Sequence, residues 1–277
     1  MSPLHPVGLL AGSGRFPILF AEKARQLGIP VVCVGIRYEA PPELQQLTAR
    51  FYWAGVARLG RMIRCFKREG VRRAVMAGKI TKAVMHTPWR FVSLLPDLRT
   101  VWAWYRHRRP DNRDDTLLQG IIDEFGKDGI RFESALDICP ELLVKPGILT
   151  RRRPSAQEEA DIRFGWALAK EMGRLDVGQS VAIKEQAVLA VEAIEGTDQA
   201  ILRAGSLCRR GGFVVVKVAK PQQDMRFDVP TVGCRTIQTM HQAGGRVLAI
   251  EAGKTIIIDE EETIRLANQL GIAIVAI

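Results

Sequence analysis

The sequence predicts an α/β protein of two domains, an N-terminal domain on a parallel sheet and a C-terminal domain of mixed α/β type. Three observations predict this. The chain has 277 residues, too many for one ordinary domain and comfortable for two. In the first half, short apolar runs rich in β-branched residues alternate with helical patterns, the order that parallel sheets with crossover helices require. In the second half, pairs of apolar runs are separated only by short polar turns, which joins neighbouring strands antiparallel. Apolar residues make up 47% and charged residues 25%, which excludes disorder, collagen and coiled coil as the main organisation.

The first strand is Val7–Ala11, running into Gly12-Ser13-Gly14. A helix is predicted over 17–27, opened by Pro17 and stopped by Gly28. Strands are predicted at 30–36, 51–54 and 73–77, with a helix over 59–69 that Gly70 ends. A helix over 114–126 and a strand at 130–132 close the domain. Pro140, Pro146, Gly147, Arg151 to Arg153 and Pro154 read as connection, so the domains are set at 1–135 and 155–277 with a linker at 136–154. Ser155-Ala156-Gln157-Glu158 matches a capping box and predicts a helix over 156–172. Beyond it, strands are expected at 181–183 and 188–193, a helix over 197–208 and a strong strand at 213–218. A helix follows over 237–242, then a hairpin of 247–250 with 255–258 across Ala252-Gly253-Lys254. A helix over 260–270 and a strand at 272–277 end the chain.

Charge divides unevenly. Residues 1–109 carry 19 Lys and Arg against 5 Asp and Glu, whereas 110–277 carry 21 against 25. A basic N-terminal part calls for an anionic partner: nucleic acid, a phosphorylated small molecule or an acidic membrane surface. The five cysteines, Cys33, Cys65, Cys139, Cys208 and Cys234, stand singly, which argues against disulfides and structural zinc and for a reducing cytoplasm. The first residues lack the pattern of a signal peptide. No run approaches the ~18 apolar residues of a membrane span, so the chain reads as soluble or at most peripheral. In segment 88–107, Trp89, Phe91, Trp102, Trp104 and Tyr105 stand among Arg90, Arg99 and Arg106, with Arg108 and Arg109 following. This mixture suits a lipid headgroup boundary; an ordinary helix with a partly buried stripe and a solvated basic face fits it as well.

Three constellations carry chemistry. GLLAGSGRF (8–16) ends a strand in G-x-G before a helix, where backbone N–H groups bind phosphate. Gly12, Ser13, Gly14 and Arg15 are its candidates, with Lys79 in the AGK turn at 77–79. Pro17 occupies the place of the third glycine of the dinucleotide fingerprint, and Glu39 lies too far on for its ribose carboxylate. A nucleotide or nucleotide-sugar phosphate is therefore favoured over NAD(P), and a purely structural turn stays open. Glu195-Gly196-Thr197-Asp198 opens a helix: Thr197 can cap, Gly196 permits close approach, and the carboxylates of Glu195 and Asp198 suit a divalent cation bridging protein to phosphate. A well-capped helix without a ligand explains the same residues. KVAKPQQDMRFDVPTVG (217–233) brings Lys217, Lys220, Asp224, Arg226 and Asp228 together after a strand, where lysines can bind phosphate and an aspartate can bind metal or activate water. The four histidines are scattered, and neither a P-loop nor a nucleophile elbow occurs, which points to water as the nucleophile.

These segments, with DDTLLQGIIDEF (114–125), GRLDVGQSVAIKEQAVLAVEAIEGTDQAILR (173–203), VKVAKPQQDMRFDVPTVG (216–233) and AGGRVLAIEAGKTIIID (243–259), resemble the LpxI-type UDP-2,3-diacylglucosamine pyrophosphatases of lipid A biosynthesis over nearly the whole chain. The resemblance implies a Rossmann-like N-terminal domain, a C-terminal domain of family-specific fold, a site between the two, and a homodimer. It implies Mg2+-dependent cleavage of UDP-2,3-diacylglucosamine by water to 2,3-diacylglucosamine 1-phosphate and UMP. The family's essential aspartate in R-x-D-x-P-T-[IV]-G falls on Asp228. Such a substrate places the protein in the cytoplasm, peripherally on the anionic inner membrane, with no nucleic-acid partner. An NAD(P)-linked oxidoreductase is the alternative that the N-terminal G-x-G leaves open.

Overall fold

A computed structural model describes residues 5–80, 95–106 and 114–277. The chain divides into two compact units, Met1–Cys139 and Pro140–Ile277.

The first unit is a five-stranded, all-parallel sheet of β1 (Val7–Ala11), β2 (Val31–Ile36), β3 (Arg50–Ala54), β4 (Arg73–Ala77) and β5 (Arg131–Phe132), in the order β3-β2-β1-β4-β5. β1 and β2 are buried along their whole length, as expected of apolar strands covered on both faces. Helices α1 (Phe16–Gln26), α2 (Leu44–Leu47), α3 (Leu59–Arg68), α4 (Leu98–Arg106) and α5 (Asp114–Gly126) accompany them. In α3, Leu59, Met62, Ile63 and Phe66 are buried at helical spacing, while Arg61, Arg64, Lys67 and Arg68 face water. Part of the N-terminal positive charge is thus a solvated helix face. Phe66, Phe125 and Phe132 pack as a run of rings at 5.9 and 5.0 Å. Asp97 starts α4, accepting from the Thr100 backbone N–H at 2.9 Å and from the Arg61 N–H at 3.1 Å. These bonds outweigh burial and hold its carboxyl below the usual range.

The second unit contains β6 (Gly147–Ile148), β7 (Ser180–Lys184), β8 (Ala187–Val191), β9 (Phe213–Lys217), β10 (Thr231–Val232), β11 (Gly245–Ile250), β12 (Ile256–Ile257) and β13 (Ala273–Ala276). Its helices are α6 (Ala156–Arg174), α7 (Thr197–Leu207), α8 (Cys234–Ala243) and α9 (Glu260–Gln269). The main sheet runs β6-β13-β11-β9-β7-β8. Its β9, β11 and β13 are parallel, and β6, β7 and β8 join antiparallel. The mixed architecture follows the sequence expectation. The capping box is present: Ser155 Oγ accepts from Glu158 N–H at 3.3 Å, and Glu158 accepts from Ser155 N–H at 2.8 Å. Strand alternation divides the core into two layers. Phe213 and Val215 pack with Ile201, Ile237, Met240 and Ala267 of α7, α8 and α9. Val214 and Val216 pack with Ile162, Ala169 and Met172 of α6.

The expected hairpin of 247–250 with 255–258 does not form. β11 lies between β9 and β13, parallel to both, and β12 pairs with β10 in a separate two-stranded sheet. The Ala252-Gly253-Lys254 turn is drawn away from a fold-back: Ala252 N–H donates to Ile277 O and Gly253 N–H to Val144 O, each at 2.8 Å, while Val144 N–H donates to Thr255 O at 3.0 Å. The run 140–154, read as connection, lies in this unit through those bonds, a Leu143–Ile256 bridge and the β6–β13 pairing.

Candidate functional site

Parallel α/β sheets bind ligands beyond the carboxyl ends of their strands, where successive connections leave in opposite directions. In the first unit that point lies between β1 and β4, whose ends carry the Gly12 and Gly78 turns. The two turns are tied together. Gly12 N–H donates to Ala77 O at 2.9 Å, Ser13 N–H to Lys79 O at 2.7 Å, and Lys79 N–H to Ser13 O at 3.0 Å. The Ser13 hydroxyl also donates to Lys79 O, at 2.7 Å. Two N–H groups expected to cradle phosphate therefore close the fold instead. Gly12 is required because a Cβ there would stand 2.5 Å from Lys79 O. What these turns leave toward a ligand is Gly14 and the start of α1. Arg15 sits at its N-cap and pairs with Glu22 at 3.6 Å, and Lys79 is exposed.

The second unit gathers the other two constellations at one end of its sheet. Lys217 ends β9 on the same face as Phe213 and Val215, the face that carries α7. It is only 6% exposed, and Nζ donates to Thr197 Oγ1 at 3.0 Å and to Thr231 O at 3.2 Å. Thr197 was expected to cap α7; Gly196 holds that place instead, at φ 82° and without a side-chain cap. Space is open where a Gly196 Cβ would stand, so its left-handed backbone and not a close approach calls for glycine. The Thr197 hydroxyl donates to Glu192 Oε1 at 2.9 Å. Glu192 is 7% exposed, and its Oε2, like Gln179 Oε1, is buried without a hydrogen-bond partner among the described residues. Sequence reading passed over Glu192. Its signal was parity: it lies two residues beyond the buried Ala190 and so points inward.

The loop from β9 to β10 is ordered by its own side chains together with Lys170, Asp176 and Glu251 of neighbouring segments. Ala219 N–H donates to Glu251 Oε2 at 2.8 Å, and Lys170 Nζ donates to Glu251 Oε2 at 2.5 Å and Ala219 O at 3.0 Å. Lys220 donates through Nζ to Asp176 at 2.7 Å, and its backbone N–H donates to Gln223 Oε1 at 2.7 Å. Gln223 Nε2 in turn donates to Asp228 Oδ2. Asp224 receives the Arg226 guanidinium, with Nε at 2.9 Å, and the Arg226 pair holds its carboxyl below the usual range. Lysines and an ordered aspartate at one sheet end can bind an anion and orient water.

Magnesium takes several hard oxygen donors at once. The three carboxylates expected to supply them are engaged separately. Glu195 pairs with Arg203 at 2.5 Å and accepts from Ala193 N–H at 3.2 Å; its own backbone N–H and then Arg203 hold it below the usual range. Asp198 pairs with Arg235 at 2.8 Å, and Asp228 takes Gln223. Among the described residues no three or more His, Cys, Asp or Glu are grouped to hold a metal ion. As placed, these residues do not form a magnesium site.

Residues 6–142 match the family model described as the LpxI N-terminal domain, and residues 145–275 the one described as the LpxI C-terminal domain. A relative from Caulobacter vibrioides, described as UDP-2,3-diacylglucosamine pyrophosphatase LpxI, is 31% identical over 282 residues, covering 99% of this chain and 98% of its own. Two matched halves and a likeness that runs end to end lead to one conclusion: the chain belongs to the LpxI family.

Proposed function

We propose that the protein hydrolyses the pyrophosphate of UDP-2,3-diacylglucosamine to 2,3-diacylglucosamine 1-phosphate and UMP in lipid A biosynthesis. The observation that carries this is the full-length likeness to a relative described by that activity. The oxygen of water joins one phosphorus, and the bridging oxygen leaves with the other. A pyrophosphate repels its nucleophile, so the reaction needs positive charge beside the phosphates and a carboxylate that orients water. In this reading Asp228 orients the water. Lys220 and the start of α7, through its backbone at Gly196 and Thr197 and not through the Thr197 hydroxyl, which is held by Glu192 and Lys217, receive the phosphates, with Lys217 adding charge. Gly14, Arg15 and Lys79 of the first unit bind the nucleotide part, beside the closed Gly12–Ser13 turn.

Purified protein releases UMP from the lipid in detergent micelles. Asp228→Asn reduces turnover by on the order of 10²-fold or more with the melting temperature kept, and near-normal turnover removes Asp228 from the role. Magnesium dependence is implied by the resemblance, while Glu195, Asp198 and Asp228 as placed do not supply a site for the ion; chelator in the same assay decides, since UMP release that stops requires these carboxylates to regroup and release that persists removes the metal. Homodimer formation is read by sedimentation, and docking on the anionic inner membrane by vesicle binding.

A further inference from the structure

The loop that carries Asp228 leaves β9 after Lys217 and enters β10 at Thr231. One ammonium clamps the two ends: Lys217 Nζ donates to Thr231 O at 3.2 Å and to Thr197 Oγ1 at 3.0 Å. A buried ammonium needs compensation, and one carboxylate, that of Glu192, is reached through the Thr197 hydroxyl at 2.9 Å. That hydroxyl has one proton to give and lone pairs to accept with, so it donates to Glu192 and accepts from Lys217. Ser180 Oγ lies 3.5 Å from it, and Glu192 N–H donates to Ser180 O at 2.8 Å. The backbone of Glu192 is thereby tied to β7, and the chain of contacts crosses from β7 to α7, β9 and β10.

We propose that Glu192 is a positioning residue for the reaction: through Thr197 it sets the Lys217 ammonium, and through Lys217 it sets the base of the Asp228 loop. The relay runs across β7, α7, β9 and β10 but touches Asp228 only through the loop, so it governs how well the loop is placed. Among the described residues Glu192 Oε2 has no hydrogen-bond partner; a buried acceptor left unsatisfied costs stability, which an acid serving packing alone would not require. This inference rests on the pyrophosphatase reading above.

The test measures kcat and KM for UDP-2,3-diacylglucosamine, per folded molecule, in Thr197→Val, Thr197→Ser, Glu192→Gln and the Glu192→Gln/Thr197→Val double variant. Thr197→Val keeps the side-chain shape and breaks the relay. It lowers kcat on the order of tenfold to a hundredfold with KM little changed, the mark of a misplaced reacting group and not of lost uniform binding. Thr197→Ser keeps the hydroxyl and recovers most of the rate. Glu192→Gln falls like Thr197→Val, and the double variant falls no further than the worse single, as members of one unit do. If Glu192→Gln does not fold, the Val and Ser pair at Thr197 decides alone. An active parent whose Thr197→Val variant keeps kcat within twofold overturns the relay and leaves the activity standing, as does a fully additive double variant. A parent that releases no UMP overturns the activity itself, and the relay with it.

Discussion

At Gly12 a single atom decides the course of the backbone. Its place beyond β1 lets the chain approach the turn after β4 so closely that a methyl group would meet Lys79 O at 2.5 Å. Gly12→Ala therefore forces backbone to move in a region held by four hydrogen bonds. The expected cost is about 1–3 kcal/mol, as for other overpacking changes, read as a lower urea midpoint with an unchanged slope. No change would mean that the turn yields freely. The same site shows what residue types alone can tell. A G-x-G after a strand was legible, and so was its position at the sheet end, but the partner of each N–H was not. Lys79 is 66 residues away from Ser13, and only the fold brings them together. Lys217 and Thr197 were likewise visible as a lysine after a strand and a threonine opening a helix. That they bond to each other, with Glu192 behind them, depends on which face of β9 carries α7.

At the scale of elements, Glu251 ties three of them. It directly follows β11, receives Lys170 of α6, and accepts from the backbone of Ala219 just beyond β9; Lys254 lies 3.1 Å from its other oxygen. Burial alone would raise its carboxyl, but the bonds from Lys170, Ala219 and Lys254 outweigh burial and bring it below its ordinary value of 4.5. The sign of the linkage follows. A carboxyl lowered in the folded state stabilises fully above its unfolded pKa, and this stabilisation drains away as pH falls through the folded value. Glu251→Gln leaves Lys170 without its counter-charge, and breaking such a buried pair costs about 3 kcal/mol. Urea midpoints at pH 7 separate the parent from the variant, and the two converge as pH falls through the lowered folded-state value of Glu251. A gap unchanged in acid removes the ion pair as its cause. Element boundaries were largely legible, because apolar period and punctuation act locally: β4 and α5 lie where the sequence set them, and the capping box at Ser155 starts α6. The pairing of β11 and β12 was not legible. Two apolar runs around Ala252-Gly253-Lys254 have the pattern of a hairpin, yet parallel partners from distant segments, β9 and β13, take β11. The bond from Gly253 N–H to Val144 O sends the chain to another sheet.

For the whole molecule, the open question is what the basic, aromatic segment meets. Trp89, Arg90, Phe91, Arg108 and Arg109 lie outside the described residues, but α4 is described. Ala103 is buried, while Leu98, Val101, Trp102 and Tyr105 are exposed at helical spacing, Leu98 by 91%. Arg99 is engaged inward, with Glu124 and Asp128. Among the described residues no helix is long and apolar enough to cross a membrane. An apolar stripe on an amphipathic helix, within a stretch that holds 19 basic against 5 acidic residues over 1–109, fits an anionic lipid surface from which a diacylated substrate is drawn. Two contributions then add: buried apolar area from the stripe, and about 1 kcal/mol for each Lys or Arg near the surface. They differ in their response to salt, because the Debye length shrinks to about 3 Å at 1 M while apolar burial persists. The protein should therefore bind vesicles containing phosphatidylglycerol at low salt and bind neutral phosphatidylcholine weakly. Salt should weaken the anionic binding, and Leu98→Ala/Trp102→Ala should weaken it further at every salt concentration, with hydrolysis of substrate in detergent micelles unchanged. Equal binding to neutral vesicles would remove the electrostatic part, and an unaffected double variant would remove α4. No binding at low salt would leave the excess charge to the substrate phosphates and to solubility.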